Sequence, residues 1–176
     1  MTLNHHEIEQ LTQVVTQRTI DFLSEEVAIP TIGRGLHAED VQQLNLREFN
    51  ALVSVGGTIN LLIVFSFAMP LMDELFVKYT SDIDVPADKH ETYREATAAE
   101  VINIIVGNCT TAMLGDESLI TLSPPVVFKE AKSIYRSNGA NFYAITLNTK
   151  YGCMDIDFIG PKDLFDDYLN YLEKKA

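Results

Sequence analysis

Two apolar runs meet across Gly56-Gly57, and their pairing limits the fold of this 176-residue chain more than any other feature. From Phe49 to Val55 the pattern Phe-x-Ala-x-Val-x-Val puts every second side chain on one apolar face, as in a strand buried on one side. Thr58 to Phe67 follows as a β-rich, largely apolar run, and the two glycines supply the backbone freedom of a tight turn. The expectation is an antiparallel hairpin whose buried face must be covered by helices or by another sheet.

Helical periodicity supplies the cover. Residues 5–27 place Ile8, Leu11, Val15 and Phe22 near helical spacing, with Val14 and Leu23 widening the stripe. Pro30 and Gly33-Arg34-Gly35 are expected to end this helix and open a loop running through Ile32 to Leu46. Pro70 suits a helix start, so Leu71 to Tyr79 reads as a short helix, and the polar, Pro86-containing stretch Ser81 to Asp88 as a connector. A long helix is predicted from about Lys89 to Leu114, capped by Gly115. Short strands follow at Leu119 to Ser123 and Val126 to Phe128, then a turn at Asn138-Gly139. Asn141 to Thr149 reads as a strand with Phe142, Ala144, Thr146 and Asn148 on one face, paired with Cys153 to Ile159. A last helix is predicted from Asp163 to about Lys174. With no internal repeat, residues 1–176 read as a single α+β domain: mostly antiparallel β-sheet packed against helices, including one long helix.

Charge narrows the function. The chain carries 25 acidic against 13 basic residues, a net charge of -12. That balance argues against nucleic acid, whose phosphates call for clustered Lys and Arg, and against anionic membrane surfaces. The longest apolar stretch, Leu61 to Met72, includes Ser66 and Pro70 and falls short of the ~20 residues of a spanning helix. The N-terminus shows no basic region followed by an apolar run, so a cytoplasmic protein is expected. Cys109 and Cys153 lack metal-site or redox-motif spacing; one disulfide is an alternative, but they read better as two reduced thiols, Cys109 as a small buried one. His5, His6, His37 and His90 are scattered and read as surface residues. Asp155 and Asp157 share a strand face without a third ligand, which reads as a solvated sheet face rather than a metal site.

The chemistry concentrates on the long helix. At roughly 100° per residue, Ala96, Glu100, Asn103, Gly107 and Thr111 fall in one stripe. Val101, Ile105 and Ala112 fall on another side, with Ile104 close by, and read as the buried flank. An ordinary solvated face carries long charged side chains along its length, whereas this one stays low around one carboxylate and one amide. Low relief lets another protein approach closely. Glu100 offers a carboxylate to a cation, and Asn103 an amide that both donates and accepts. An amide is a poor base but positions water well, which suffices where the electrophile is activated elsewhere, as in phosphoryl transfer beside a metal. Asn108 lies off the stripe, roughly 80° from Glu100, and reads as a buried structural amide. Gly107 fits close approach or simple packing equally well.

At these residues the chain resembles the CheC/CheX/FliY group of chemotaxis phosphatases, whose signature is a helical Glu-x-x-Asn with a second Asn five residues on. Here those positions are Glu100, Asn103 and Asn108. The run from Ala51 to Thr58, the following Ile63 to Phe67, and Leu122 to Val127 look like the family's strands on either side of that helix. A single Glu-x-x-Asn makes the match closer to CheX than to CheC, which has two. The resemblance implies a phosphatase that docks on a phosphorylated CheY-type receiver domain and hydrolyses its aspartyl phosphate. Asn103 would hold the attacking water and Glu100 would pair with the receiver's lysine. Magnesium would belong to the receiver, so no cofactor or metal of this chain's own is implied. A homodimer joined through its sheet is implied as well. Ala96 departs from the pattern, which often has Asp or Ser four residues before the Glu, and bears on helix capping or docking. That departure keeps open an alternative, a non-catalytic receiver-binding module of the same fold.

Overall fold

The computed structural model describes residues 5–37, 42–57, 60–113, 120–136 and 138–161. The hairpin is present: β3 (Phe49–Gly56) pairs antiparallel with β4 (Leu61–Phe67), Phe49 opposite Phe67 and Val55 opposite Leu61. The alternation works as anticipated, with Phe49, Ala51, Val53 and Val55 all buried. The second hairpin joins β8 (Ala140–Thr149) to β9 (Gly152–Pro161). Its turn places Gly152 at φ +124°, a conformation that L side chains rarely adopt.

These strands build a seven-stranded antiparallel sheet in the order β1-β8-β9-β4-β3, with β5 (Thr121–Leu122) and β6 (Val126–Lys129) sharing the far side of β3. The edge strand β1 (Thr31–His37) corrects the sequence reading, which ended a helix and began a loop here. Gly33 and Gly35 resemble turn residues locally, but the segment finds its hydrogen bonds on β8, with a register shift between Thr31 and Gly33. A separate ribbon pairs β2 (Gln43–Asn45), in the stretch read as a loop, with β7 (Ser133–Tyr135), a stretch to which the sequence reading assigned no element.

One face of the sheet carries the main core. Met154, Ile156 and Phe158 of β9, Tyr143, Ile145 and Leu147 of β8, and the alternating residues of β3 and β4 meet the helices there. The first helix, α1 (His5–Asp21), continues into a π-helical turn, Phe22–Glu26, and buries Ile8, Leu11, Val15, Phe22 and Leu23. The short helix α2 (Met69–Tyr79) has Pro70 in its first turn and buries Leu71, Met72, Leu75 and Phe76. The long helix α3 (His90–Met113) packs against both, sending Ala98, Val101, Ile102, Ile105 and Cys109 into the core. The predicted cap at Gly115 and the helix from Asp163 to Lys174 lie outside the described residues.

The opposite face is different in kind. Asp155 and Asp157 are 8% and 4% exposed, so the solvated face expected for them is corrected to a buried one. Arg47 reaches over it, donating from Nε to Asp155 Oδ2 at 2.6 Å and from Nη2 to Oδ1 at 3.1 Å. Thr146 Oγ1 donates to the same carboxylate at 2.6 Å. The Arg47 amide donates to Ser66 Oγ (2.6 Å), Ser66 donates to Asn50 Oδ1 (2.7 Å), and Asn50 Nδ2 returns to the Arg47 carbonyl (3.0 Å). Beside this network Leu44 of β2 and Ile134 of β7 cover Phe142, Ala144 and Ile159.

Candidate functional site on the long helix

The outward stripe of α3 is exposed at Ala96, Glu100, Asn103, Gly107 and Thr111, as the spacing predicts. Behind it the helix is anchored by Val101, Ile102, Ile105 and Cys109, all fully buried, so the stripe is held on a rigid element. Ala112, placed on the buried flank by spacing, is exposed, and it lines a cleft between α1 and Arg34 of β1. Asn108 is exposed too, which corrects its reading as a buried amide and adds a polar group beside the stripe.

Glu100 and Asn103 lie one helical turn apart, close enough for both to meet a single bound group. Among the described residues neither side chain has a hydrogen-bond or ion-pair partner. Gly107 sharpens the picture, because a Cβ placed there would meet nothing within 4 Å. Among the described residues no neighbour therefore demands glycine at a position where it costs about 1 kcal/mol relative to Ala. Ala96 stands in the second turn of a helix that begins at His90, so it is an interior position and its side chain takes no part in capping.

The N-terminal half of α3 is fastened by charge. Arg94 Nε donates to Asp73 of α2 at 2.7 Å, and its guanidinium lies 5.3 Å from the Phe76 ring centre. Lys129 of β6 pairs with Glu91 at 2.5 Å and Glu95 at 2.6 Å, and these hydrogen bonds raise its pKa to about 12. His90 corrects its surface reading: its ring is half-buried, Nε2 lies 3.1 Å from the Val85 carbonyl, and Phe76 packs at 5.2 Å. The side chains of His5, His6 and His37 lie outside the description. Cys109 is buried and its thiol is pushed up to about 12 by desolvation, so it is chemically quiet. Cys153 is likewise a free thiol.

Glu100 also has a neighbour that spacing along α3 did not reveal. Burial first, then the carboxylates of Glu100 and Glu26, raise the pKa of Tyr79 at the end of α2. Tyr79 lines a recess of about 350 Å³ with Lys78, Glu26, Val27 and Ala28. Among the described residues no group of three or more His, Cys, Asp or Glu is arranged to hold a metal, and no helix is long and apolar enough to cross a membrane.

No protein-family model and no curated protein matches the chain. Solved structures do. A CheX from Desulfovibrio desulfuricans superposes with a TM-score of 0.70 at 18% identity, covering 84% of this chain and 97% of that one. A CheC-like protein from a Shewanella species gives 0.70 at 14% identity, covering 85% and 96%. A chain of the CheX–CheY–BeF3–Mg complex from Borrelia burgdorferi gives 0.61 at 16% identity, covering 90% and 97%. At these identities the likeness is one of fold, and the resemblance read from the motif is met at that level. The chain has the α+β fold of the CheC/CheX/FliY chemotaxis proteins.

Proposed function

We propose that this chain is a phosphatase that docks on a phosphorylated CheY-type receiver domain and hydrolyses its aspartyl phosphate. The observation that carries the reading is the pair Glu100 and Asn103, exposed one turn apart on a low-relief helix face and without hydrogen-bond or ion-pair partners among the described residues. The fold supports it, because one similar structure is a CheX complexed with CheY, BeF3 and magnesium.

In this mechanism α3 lies against the receiver's phosphorylation site. The Glu100 carboxylate meets the receiver's lysine ammonium and fixes the register of the complex. Asn103 enters the site, where its Oδ1 accepts a hydrogen bond from the attacking water and aligns the water oxygen with phosphorus opposite the aspartyl oxygen. Water adds as the P–O bond to the aspartate breaks, leaving inorganic phosphate and a free carboxylate. The receiver would supply magnesium, whose chemistry there would be to neutralise charge on the phosphoryl oxygens. Gly107 and Ala96 keep the helix surface low enough for that approach.

A second reading, a receiver-binding module without turnover, draws on Ala96, where a polar side chain often stands in such proteins. Because position 96 is interior to the helix, that substitution bears on docking rather than on helix formation. A homodimer in the cytoplasm belongs to the same proposal. Among the described residues β1 has no strand on its outer side, and Ile32 there is 71% exposed, which makes it one sheet edge for a second copy to extend.

Phosphate release from a panel of phosphorylated receivers tests the reading. Acceleration by wild type and its loss in Asn103→Ala is the expected result. Binding without acceleration would select the module instead.

A further inference from the structure

Asp157 projects from β9 onto the sheet face away from the helices and is 4% exposed, and among the described residues it has no hydrogen-bond or ion-pair partner. The neighbouring carboxylate shows what a satisfied one looks like here, since Asp155 takes two bonds from Arg47 and one from Thr146. Opposite Asp157 in the ladder stand Ala144 of β8 and Val64 of β4, and Ile159 follows two residues along its own strand. Ala144 and Ile159 belong to the apolar patch that Leu44 and Ile134 cover. The carboxylate therefore borders the seat of the β2–β7 ribbon.

The groups around it offer little to an anion. Asp155 repels it, and Arg47, the attracting charge, is already engaged by Asp155. The ribbon contributes Gln43, Leu44, Asn45, Ser133, Ile134 and Tyr135, and the phenol of Tyr135 is 72% exposed. At the ribbon's end, Arg136 reaches Asn141 at 3.4 Å. On β1 the residue opposite Ala144 is His37. A buried carboxylate without partners is tolerable as the neutral acid and costly as the anion.

We infer that Asp157 is a proton-operated latch for the β2–β7 ribbon: as the neutral acid it lets the ribbon seat on the Phe142–Ala144–Ile159 patch, and its ionisation loosens that seat. Burial, then the Asp155 charge, raise its pKa from 3.8 to about 7. Opening the ribbon returns the group toward its ordinary range, so opening releases a proton between those values. Ribbon opening then rises with pH, by about tenfold between pH 6 and 8, and levels off above.

Hydrogen exchange of the ribbon amides in the full chain, corrected for intrinsic rates, reads this directly. Wild type should exchange about tenfold faster at pH 8 than at pH 6, while Asp157→Asn should show no such rise. A pH-independent wild type, or a variant that follows the wild-type profile, overturns the latch. Should the variant not fold, carbon-13 titration of the wild-type carboxyl alongside the Leu44 and Ile134 methyls decides. One shared midpoint in the neutral range supports the latch, and an Asp157 midpoint near the ordinary carboxylate value overturns it.

Discussion

Glu100 and Asp157 are both carboxylates without a partner among the described residues, yet they occupy opposite settings. Glu100 stands on the outer stripe of α3, where water solvates it and freedom costs nothing until a partner arrives. Asp157 borders the seat of a ribbon on the second sheet face, where burial and a like charge raise its pKa to about 7. In the proposed reading the exposed group awaits a partner's cation, and in the proposed latch the buried one couples the ribbon to pH. The two regions also differ in how they are held. The helix stripe rests on apolar side chains, while the second face rests on a hydrogen-bonded network centred on Arg47.

The largest effect expected from that contrast is Arg47→Ala. It strands Asp155 as a buried charge, which should cost about 3–5 kcal/mol of stability. Denaturant unfolding measures it, and a loss below about 1 kcal/mol would mean the pair behaves as a surface ion pair. Next comes the pH dependence. The folded-state pKa of Asp157 lies above its unfolded value, so its ionisation penalty is absent at low pH and fully present above about 7. Wild-type stability should therefore fall, by up to about 1.4 kcal/mol per pH unit from this group, between roughly pH 4 and 7. Asp157→Asn should remove that slope, as read from unfolding midpoints across the range. Gly107→Ala reverses the usual association of stability with function. It should add about 1 kcal/mol to stability while weakening receiver binding, so a thermal melt and a titration should move in opposite directions. The smallest structural effect is Glu100→Lys, within about 0.5 kcal/mol of wild type in stability. Its receiver affinity should fall markedly in calorimetry, because like charges would then face each other.

Much of the fold was legible because its signals are local. Helical spacing exposed α1, α2 and α3, and alternation around Gly56-Gly57 exposed β3 and β4. β1 was not legible because Gly33-Arg34-Gly35 has the composition of a turn, and the strand exists through pairing with residues more than a hundred positions away. The same distance hid the setting of Asp155 and Asp157. Their alternation was plain, but burial of that face depends on Arg47, 108 residues from Asp155, and on a ribbon joining segments far apart in sequence. In the candidate site, spacing along one helix was enough to bring out Glu100 and Asn103. Tyr79 comes from another helix, and the exposure of Asn108 and Ala112 follows from where α3 runs past its neighbours, which periodicity alone does not encode.

The central claim is that the α3 stripe acts on a phosphorylated receiver. Its most direct test is receiver dephosphorylation in a single turnover, at saturating amounts of wild type, Asn103→Ala and Glu100→Gln. Loss of on the order of 10²-fold in the rate constant for Asn103→Ala, with the Glu100→Gln defect confined to affinity, is the predicted result. Equal rate constants for wild type and Asn103→Ala would contradict the account.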